Sequence, residues 1–170
     1  MHIERKRISE TETVLYFISP LPIDGSLYAD NKTPITSLPQ LLQNILSTNI
    51  CHQVLLSQDF LYLQSSSAED LADLELIALA ELDDNGQSLP QITDISVTEI
   101  KITLILKIAV APFLQKDGGD IALEKYQSNT AFVRFLGKCH GCPYAQKTLK
   151  EKVEKTLIHY LPPIKEAKLV

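Results

Sequence analysis

The sequence predicts an α+β protein made of two small domains, and three observations carry that expectation. Its 170 residues allow one medium domain or two small ones. Short β-branched or aromatic runs alternate with amphipathic helical stretches in both halves. Between the halves, Asp83-Asp84-Asn85-Gly86-Gln87-Ser88-Leu89-Pro90 has no apolar periodicity and holds an Asn-Gly pair and a proline. The expected division is therefore a first domain over 1–82, a linker over 83–95 and a second domain over 96–170. With 45% hydrophobic and 22% charged residues, each half can bury a core, and disorder is not the default.

In the first half, Val14-Leu15-Tyr16-Phe17-Ile18 reads as a strand stopped by Pro20 and Pro22. Ser37 is placed to cap a helix with Pro39 in its first turn and Leu38, Leu41, Leu42, Ile45 and Leu46 at helical spacing. Asn49 sits where that helix should stop. Ile50 to Leu56 and Phe60 to Gln64 form a predicted hairpin around Ser57-Gln58-Asp59. Ser67-Ala68-Glu69-Asp70 opens a second helix, with Leu71, Leu74, Ile77, Ala78 and Leu82 on one face.

In the second half, Ser96-Val97-Thr98-Glu99 reads as a capping box for a helix reaching about Gln115. Pro112 should kink it or end it early. Asp117-Gly118-Gly119-Asp120 is a helix stop and turn. Ile121 to Gln127 and Ala131 to Leu136 pair around Ser128-Asn129-Thr130. Ile121, Leu123 and Lys125 should share a face opposite Ala131, Val133 and Phe135. A helix from Pro143 to about Tyr160 carries Ala145, Leu149, Val153, Leu157 and Leu161 every fourth position. Ile164 to Val170 is a candidate last strand. The second domain is thus a β-hairpin sheet packed with two helices.

Charge divides along the same line. Residues 1–96 hold 4 basic and 14 acidic side chains, a net of −10, and residues 97–170 hold 12 and 7, a net of +5. That split predicts units with different partners or units that attract each other, although ordinary solvated surface would look the same. Three function classes are disfavoured. Trp is absent and aromatics are 6%, so stacking on nucleic acid is not expected. No apolar run nears the ~18 residues of a membrane span, and the longest candidate is broken by Lys101 and Lys107. No secretory signal is read behind the charged start, and an odd count of three cysteines argues against a disulfide framework. A reducing, cytoplasmic setting follows as the expectation.

Cys139-His140-Gly141-Cys142-Pro143 is the one strong chemical motif. Two thiols three positions apart, at a strand-to-helix turn, can aim at one point, with Gly141 allowing the tight backbone. Pro143 suits a first helical position, which would place Cys142 at a helix N-terminus and lower its thiol pKa, with Lys138 adding positive charge. Three chemistries fit: a dithiol–disulfide redox site, a mononuclear zinc site, and an iron–sulfur cluster shared between chains. The antiparallel hairpin before the motif weakens the first, and the lack of two further ligands weakens the second. By chemistry alone the redox dithiol and the shared cluster stand nearly level.

The run Leu106 to Pro163 resembles the NifU-like C-terminal domain of Nfu-type iron–sulfur scaffold proteins. Pro112-Phe113-Leu114-Gln115-Lys116-Asp117-Gly118-Gly119-Asp120 and Val133-Arg134-Phe135-Leu136-Gly137-Lys138-Cys139-His140-Gly141-Cys142-Pro143 carry the resemblance. The first half is similar to the Nfu N-terminal domain through Val14-Leu15-Tyr16-Phe17 and Ser57 to Leu63. It departs at Glu10-Thr11-Glu12-Thr13, where that family often has Thr-Pro-Asn-Pro-Asn. The resemblance implies a homodimer holding a [4Fe–4S] cluster through paired Cys139 and Cys142. It also implies transfer of that cluster to recipient apo-proteins and contact with upstream assembly factors, without nucleic acid or membrane.

Other residues are expected to be quieter. His140 is at most auxiliary, tuning a cluster through hydrogen bonds to sulfur. Asp117 and Asp120 should serve the turn rather than a metal. Cys51 is expected to be a small buried hydrophobe, and Tyr144 and Thr148 to support helix packing. His2, His52 and His159 show no ligand pattern. No phosphate loop, nucleophile elbow or paired carboxylates are found, so an enzyme is not expected.

Overall fold

The protein is described as a computed structural model covering residues 2–85 and 89–170. Its chain divides into two compact α+β units, one ending at Asp94 and the other beginning at Ile95. The stretch expected to be a linker holds regular structure: α2 (Ala68–Asn85) runs into it, and β6 (Ile92–Asp94) lies within it. Gly86-Gln87-Ser88 of that stretch lies outside the described residues.

The first unit is a six-stranded sheet of order β1-β2-β5-β4-β3-β6. β2 (Glu12–Phe17), β4 (Cys51–Ser57) and β5 (Phe60–Ser65) fall where β-branched and aromatic runs place them. Two other strands escape such reading. β1 (Ile3–Ser9) carries four charged residues in a row, Glu4 to Arg7, yet it pairs antiparallel with β2. Arg5 and Arg7 on it reach Glu75 of α2 at 2.8 and 3.3 Å, pairing a carboxylate that sits buried on the helix's apolar face. β3 (Ile23–Asp30) contains Gly25 at φ 88°, and it pairs antiparallel with β4 and parallel with β6.

α1 (Gln40–Ser47) buries Leu41, Leu42, Ile45 and Leu46, as their spacing requires. Its N-cap is Pro39, not Ser37. Ser37 closes a short 3-10 turn instead, donating its hydroxyl to the Pro34 carbonyl. Asn49 adopts φ 62° just beyond the helix, a conformation Asn tolerates better than most residues. For α2, the Ser67 hydroxyl accepts from the Asp70 N–H at 3.1 Å, the expected cap. Leu74, Ala78 and Leu82 join Leu15, Val54 and Leu61 in one core.

The second unit packs helices on a three-stranded sheet of order β7-β8-β9. α3 (Glu99–Ile105) starts at an N-cap Thr98, whose side chain accepts from Lys101 N–H. Ser96, expected in that role, accepts the Lys101 ammonium at 2.8 Å instead. The helix continues through a π turn at Leu106–Val110 into α4 (Ala111–Gln115). Pro112 does not end the helical run: it occupies the first turn of α4, directly after the widened segment. There its missing N–H and ring bulk conflict with no regular i→i−4 bond.

β7 (Gly119–Gln127) and β8 (Thr130–Gly137) turn at Ser128 and Asn129, with φ 52° and 61°. Two consecutive positive φ values give the hairpin turn whose twist matches the strands. A bulge between Leu123 and Lys125 breaks the expected alternation. Lys125 pairs with Phe132 and sets its ammonium 4.6 Å from that ring, rather than continuing the face of Ile121 and Leu123. β9 (Glu166–Leu169) adds parallel to β8, and Glu154 accepts the Ala167 N–H at 2.8 Å.

The last helix runs as α5 (Ala145–Thr148), a π turn at Leu149–Glu154 and α6 (Lys155–Tyr160). This segmentation answers its sequence. Apolar residues spaced by four overshoot the 3.6-residue turn, drifting about 40° per step on a regular α-helix. A wider turn absorbs that drift, and Leu149, Val153 and Leu157 are all buried.

Candidate metal centre

β8 ends at Gly137, and the chain then makes successive tight turns through Lys138 to Tyr144. His140 N–H donates to the Gly137 carbonyl at 3.1 Å, and Cys142 N–H donates to the Cys139 carbonyl at 3.4 Å. Gly141 sits at φ 72°, the left-handed conformation that lets the loop close between the cysteines. Cys139 and Cys142 are both free thiols of intermediate exposure. They are reachable without being fully solvated.

The helix after the motif begins later than the sequence suggests. Its first residue is Ala145, with Tyr144 as N-cap, and Ala145 N–H donates to the Cys142 carbonyl at 3.0 Å. Cys142 is thus outside the first turn, and Pro143 is not the first helical residue. Two local features explain the delay. Gly141 is left-handed, and a residue preceding proline is pushed out of the helical region. Placing Cys142 on the helix N-terminus is corrected accordingly. For Cys139, withdrawal from water raises the thiol above its ordinary value, and Cys142, Asp117 and Asp120 raise it further.

The Asp117-Gly118-Gly119-Asp120 turn lies against the same site. Gly118 adopts φ 77° and ends the helix, and its carbonyl accepts from Lys138 N–H at 3.1 Å. Gly119 pairs with Gly137 across the hairpin. A Cβ on Gly119 would lie 2.0 Å from the Cys139 sulfur, and one on Gly137 would lie 2.5 Å from the Gly118 carbonyl oxygen. The sequence alone leads one to expect both glycines of the doublet to serve the turn. Only the first needs the left-handed conformation; the second stands where a thiol needs room. Asp120 accepts the Ile121 N–H at 2.8 Å, in keeping with a role in the turn.

The remaining expected residues separate cleanly. His140 is exposed beside the cysteines. Tyr144 is 70% exposed, so it does not support helix packing, whereas Thr148 is half-buried. Cys51 lies in β4 with its thiol on the Gln53 carbonyl, and burial pushes that thiol up to about 12. His52 hydrogen-bonds Ser66 at 2.7 Å, and His159 stacks edge-on against Tyr160. Among the described residues, no group of three or more His, Cys, Asp or Glu side chains could hold a metal ion. The described residues therefore place two thiols on one turn, with no third such side chain grouped to hold a metal with them. Among the same residues, no helix is long and apolar enough to cross a membrane.

Residues 102–168 match the NifU-like domain family. The chain is 40% identical over 78 residues to an Fe/S biogenesis protein NfuA of Teredinibacter turnerae, covering 45% of this chain and 40% of that protein. It is 36% identical over 77 residues to an Fe/S biogenesis protein NfuA of Pseudomonas aeruginosa, with the same coverage. It is also 38% identical over 74 residues to NifU-like protein 5, mitochondrial, of Arabidopsis thaliana, covering 42% of this chain and 27% of that protein. Each match spans less than half of the relative's length.

Proposed function

We propose, from the match of residues 102–168 to the NifU-like domain family, that the protein is an iron–sulfur cluster scaffold and carrier. Its cargo is a [4Fe–4S] cluster held between two copies of the chain by Cys139 and Cys142 of each. The observation carrying this reading is the ligand count. Two half-exposed thiols share one turn, and among the described residues no third His, Cys, Asp or Glu groups with them. A [4Fe–4S] core takes four thiolates, so two copies of the turn complete it.

Function follows from having two ligands per chain on a turn that solvent reaches. A recipient's thiolates can displace the carrier's one pair at a time, and each released sulfur returns to an open loop. Lability then serves delivery, and the chain acts as a carrier rather than an enzyme. The basic second unit fits this cargo, because four thiolates around a [4Fe–4S]²⁺ core leave a charge of about −2 for lysines to offset. Partners are a second copy, upstream assembly factors and recipient apo-proteins, with the cytoplasm as the proposed location.

The test is anaerobic reconstitution with iron and sulfide, followed by mixing with an apo-enzyme whose activity requires a [4Fe–4S] cluster. Activation of that enzyme, with matching loss of visible absorption from the carrier, is expected. Failure to take up iron, combined with catalytic reduction of insulin disulfides, would favour a dithiol redox role for the same cysteines.

A further inference from the structure

We infer that Gly119 is a positioning residue for Cys139, its missing side chain being the seat that the Cys139 sulfur occupies. Gly119 is not among the glycines at positive φ, so the turn does not require glycine there. Space does. A Cβ at this position would meet the Cys139 sulfur at 2.0 Å, its Cβ at 2.9 Å and its amide nitrogen at 3.3 Å. Real atoms do not approach so closely, so any larger residue drives the thiol out of its present rotamer.

The surrounding backbone makes the seat rigid. Gly119 and Gly137 are register partners at the open end of the β7–β8 hairpin, and a side chain on Gly137 would in turn meet the Gly118 carbonyl oxygen at 2.5 Å. The Lys138 N–H bond to the Gly118 carbonyl locks the exit from β8, so residue 139 emerges directly over residue 119. Lys138 completes the seat by laying its methylenes along Gly118, where a Cβ would lie 3.2 Å from its Cδ. The glycine doublet thus divides its work: Gly118 turns the chain, and Gly119 aims a ligand.

This role rests on the reading that Cys139 holds a cluster, and the experiment separates the two. Gly119→Ala in the full chain should keep the far-ultraviolet circular dichroism of the parent. After anaerobic reconstitution it should lose about 10–100-fold in apparent iron affinity, the usual scale for disturbing a ligand's support. Any residual cluster should show an altered visible and electron paramagnetic resonance spectrum. In the apo-protein, iodoacetamide alkylation mapped by mass spectrometry should speed up at Cys139 relative to Cys142. Should Gly119→Ala unfold the domain, the Cys139→Ala background decides, because removing the sulfur should recover much of the lost thermal stability. Parent-like iron affinity, spectrum and Cys139 alkylation in Gly119→Ala would overturn the proposal, as would the absence of rescue. A parent protein that takes no iron, with alkylation and rescue as expected, would leave Gly119 seating the thiol and remove the cluster reading instead.

Discussion

Cys51 and the Cys139–Cys142 pair put the same side chain into two opposite settings. Cys51 opens β4, an inner strand of a six-stranded sheet, and is 1% exposed, with its thiol directed at a backbone carbonyl. Cys139 and Cys142 stand on a loop beyond a strand end, with glycines on both sides and solvent within reach. Burial in a sheet turns a cysteine into a small hydrophobe, whereas a glycine-lined turn leaves two of them within reach of solvent. Reactivity here is decided by backbone context.

The sharpest way to break that contrast is substitution. Cys139→Ser or Cys142→Ser should abolish cluster uptake, since each removes half of what one chain contributes. Cys51→Ser should leave uptake at the parent level. Visible absorption after anaerobic reconstitution reads all three, and a cluster that survives either motif substitution would end the assignment. A loss of uptake confined to Cys51→Ser would invert it.

Thiol reactivity gives the next largest effect. With its pKa pushed up to about 12, Cys51 is a thiolate in only about one molecule in ten thousand at pH 8, and it is buried as well. A disulfide reagent should therefore label two thiols of the native apo-protein promptly and the third only on unfolding. Mass spectrometry should place the slow site at Cys51.

The same burial makes the first unit sensitive to alkali. Cys51 and Tyr28 are both raised to about 12, from ordinary values of 9.0 and 10.0, chiefly by burial. Tyr16 and Tyr62 are raised too, Tyr62 by burial and then by its bond to Glu12. In each case the unfolded chain releases its proton first. Stability is thus intact below about pH 9 and declines as pH climbs from 9 to 12. Urea midpoints across that range should fall, and Cys51→Ala should remove part of the slope. A flat profile would show that these groups ionise freely in the folded state.

The smallest effects should be alike in the two units. Ser67→Ala removes the cap of α2 and Thr98→Ala that of α3, each at a cost of about 1 kcal/mol. Denaturant unfolding measures both, and neither should change cluster uptake. A cap substitution that abolished uptake would mean the cysteine turn depends on a distant helix end.

Legibility in the sequence followed the range of the interactions. The cysteine motif, the β7–β8 hairpin, α2 with its Ser67 cap and the buried stripe of the last helix are written in neighbouring residues. β1 was hidden because its arginines are explained only by a buried Glu75 about seventy positions away. β3 was hidden by Gly25 and its aspartates, which lower strand propensity, and β6 has only three residues. Four-residue spacing in the last helix did carry a signal for a widened turn, although it reads at first as plain amphipathicity. Within the site, the cysteines were legible, but the seat under Cys139 was not. Two residues twenty positions apart meet there, and only the pairing of Gly119 with Gly137 brings them together.

Assembly is where the central claim is most exposed. If each chain contributes two thiolates to one core, loading must join two chains, because metal binding and association then become one equilibrium. Anaerobic size-exclusion chromatography with light scattering, combined with iron and sulfide analysis of the same peak, measures this directly. The account predicts a holo-protein at twice the 19.0 kDa chain mass. It also predicts about two iron and two sulfide per chain, half of one [4Fe–4S] core each, and loss of the cluster-bridged contact on chelation. A holo-protein that stays at the mass of one chain while carrying a full cluster would contradict it, and would require ligands other than Cys139 and Cys142.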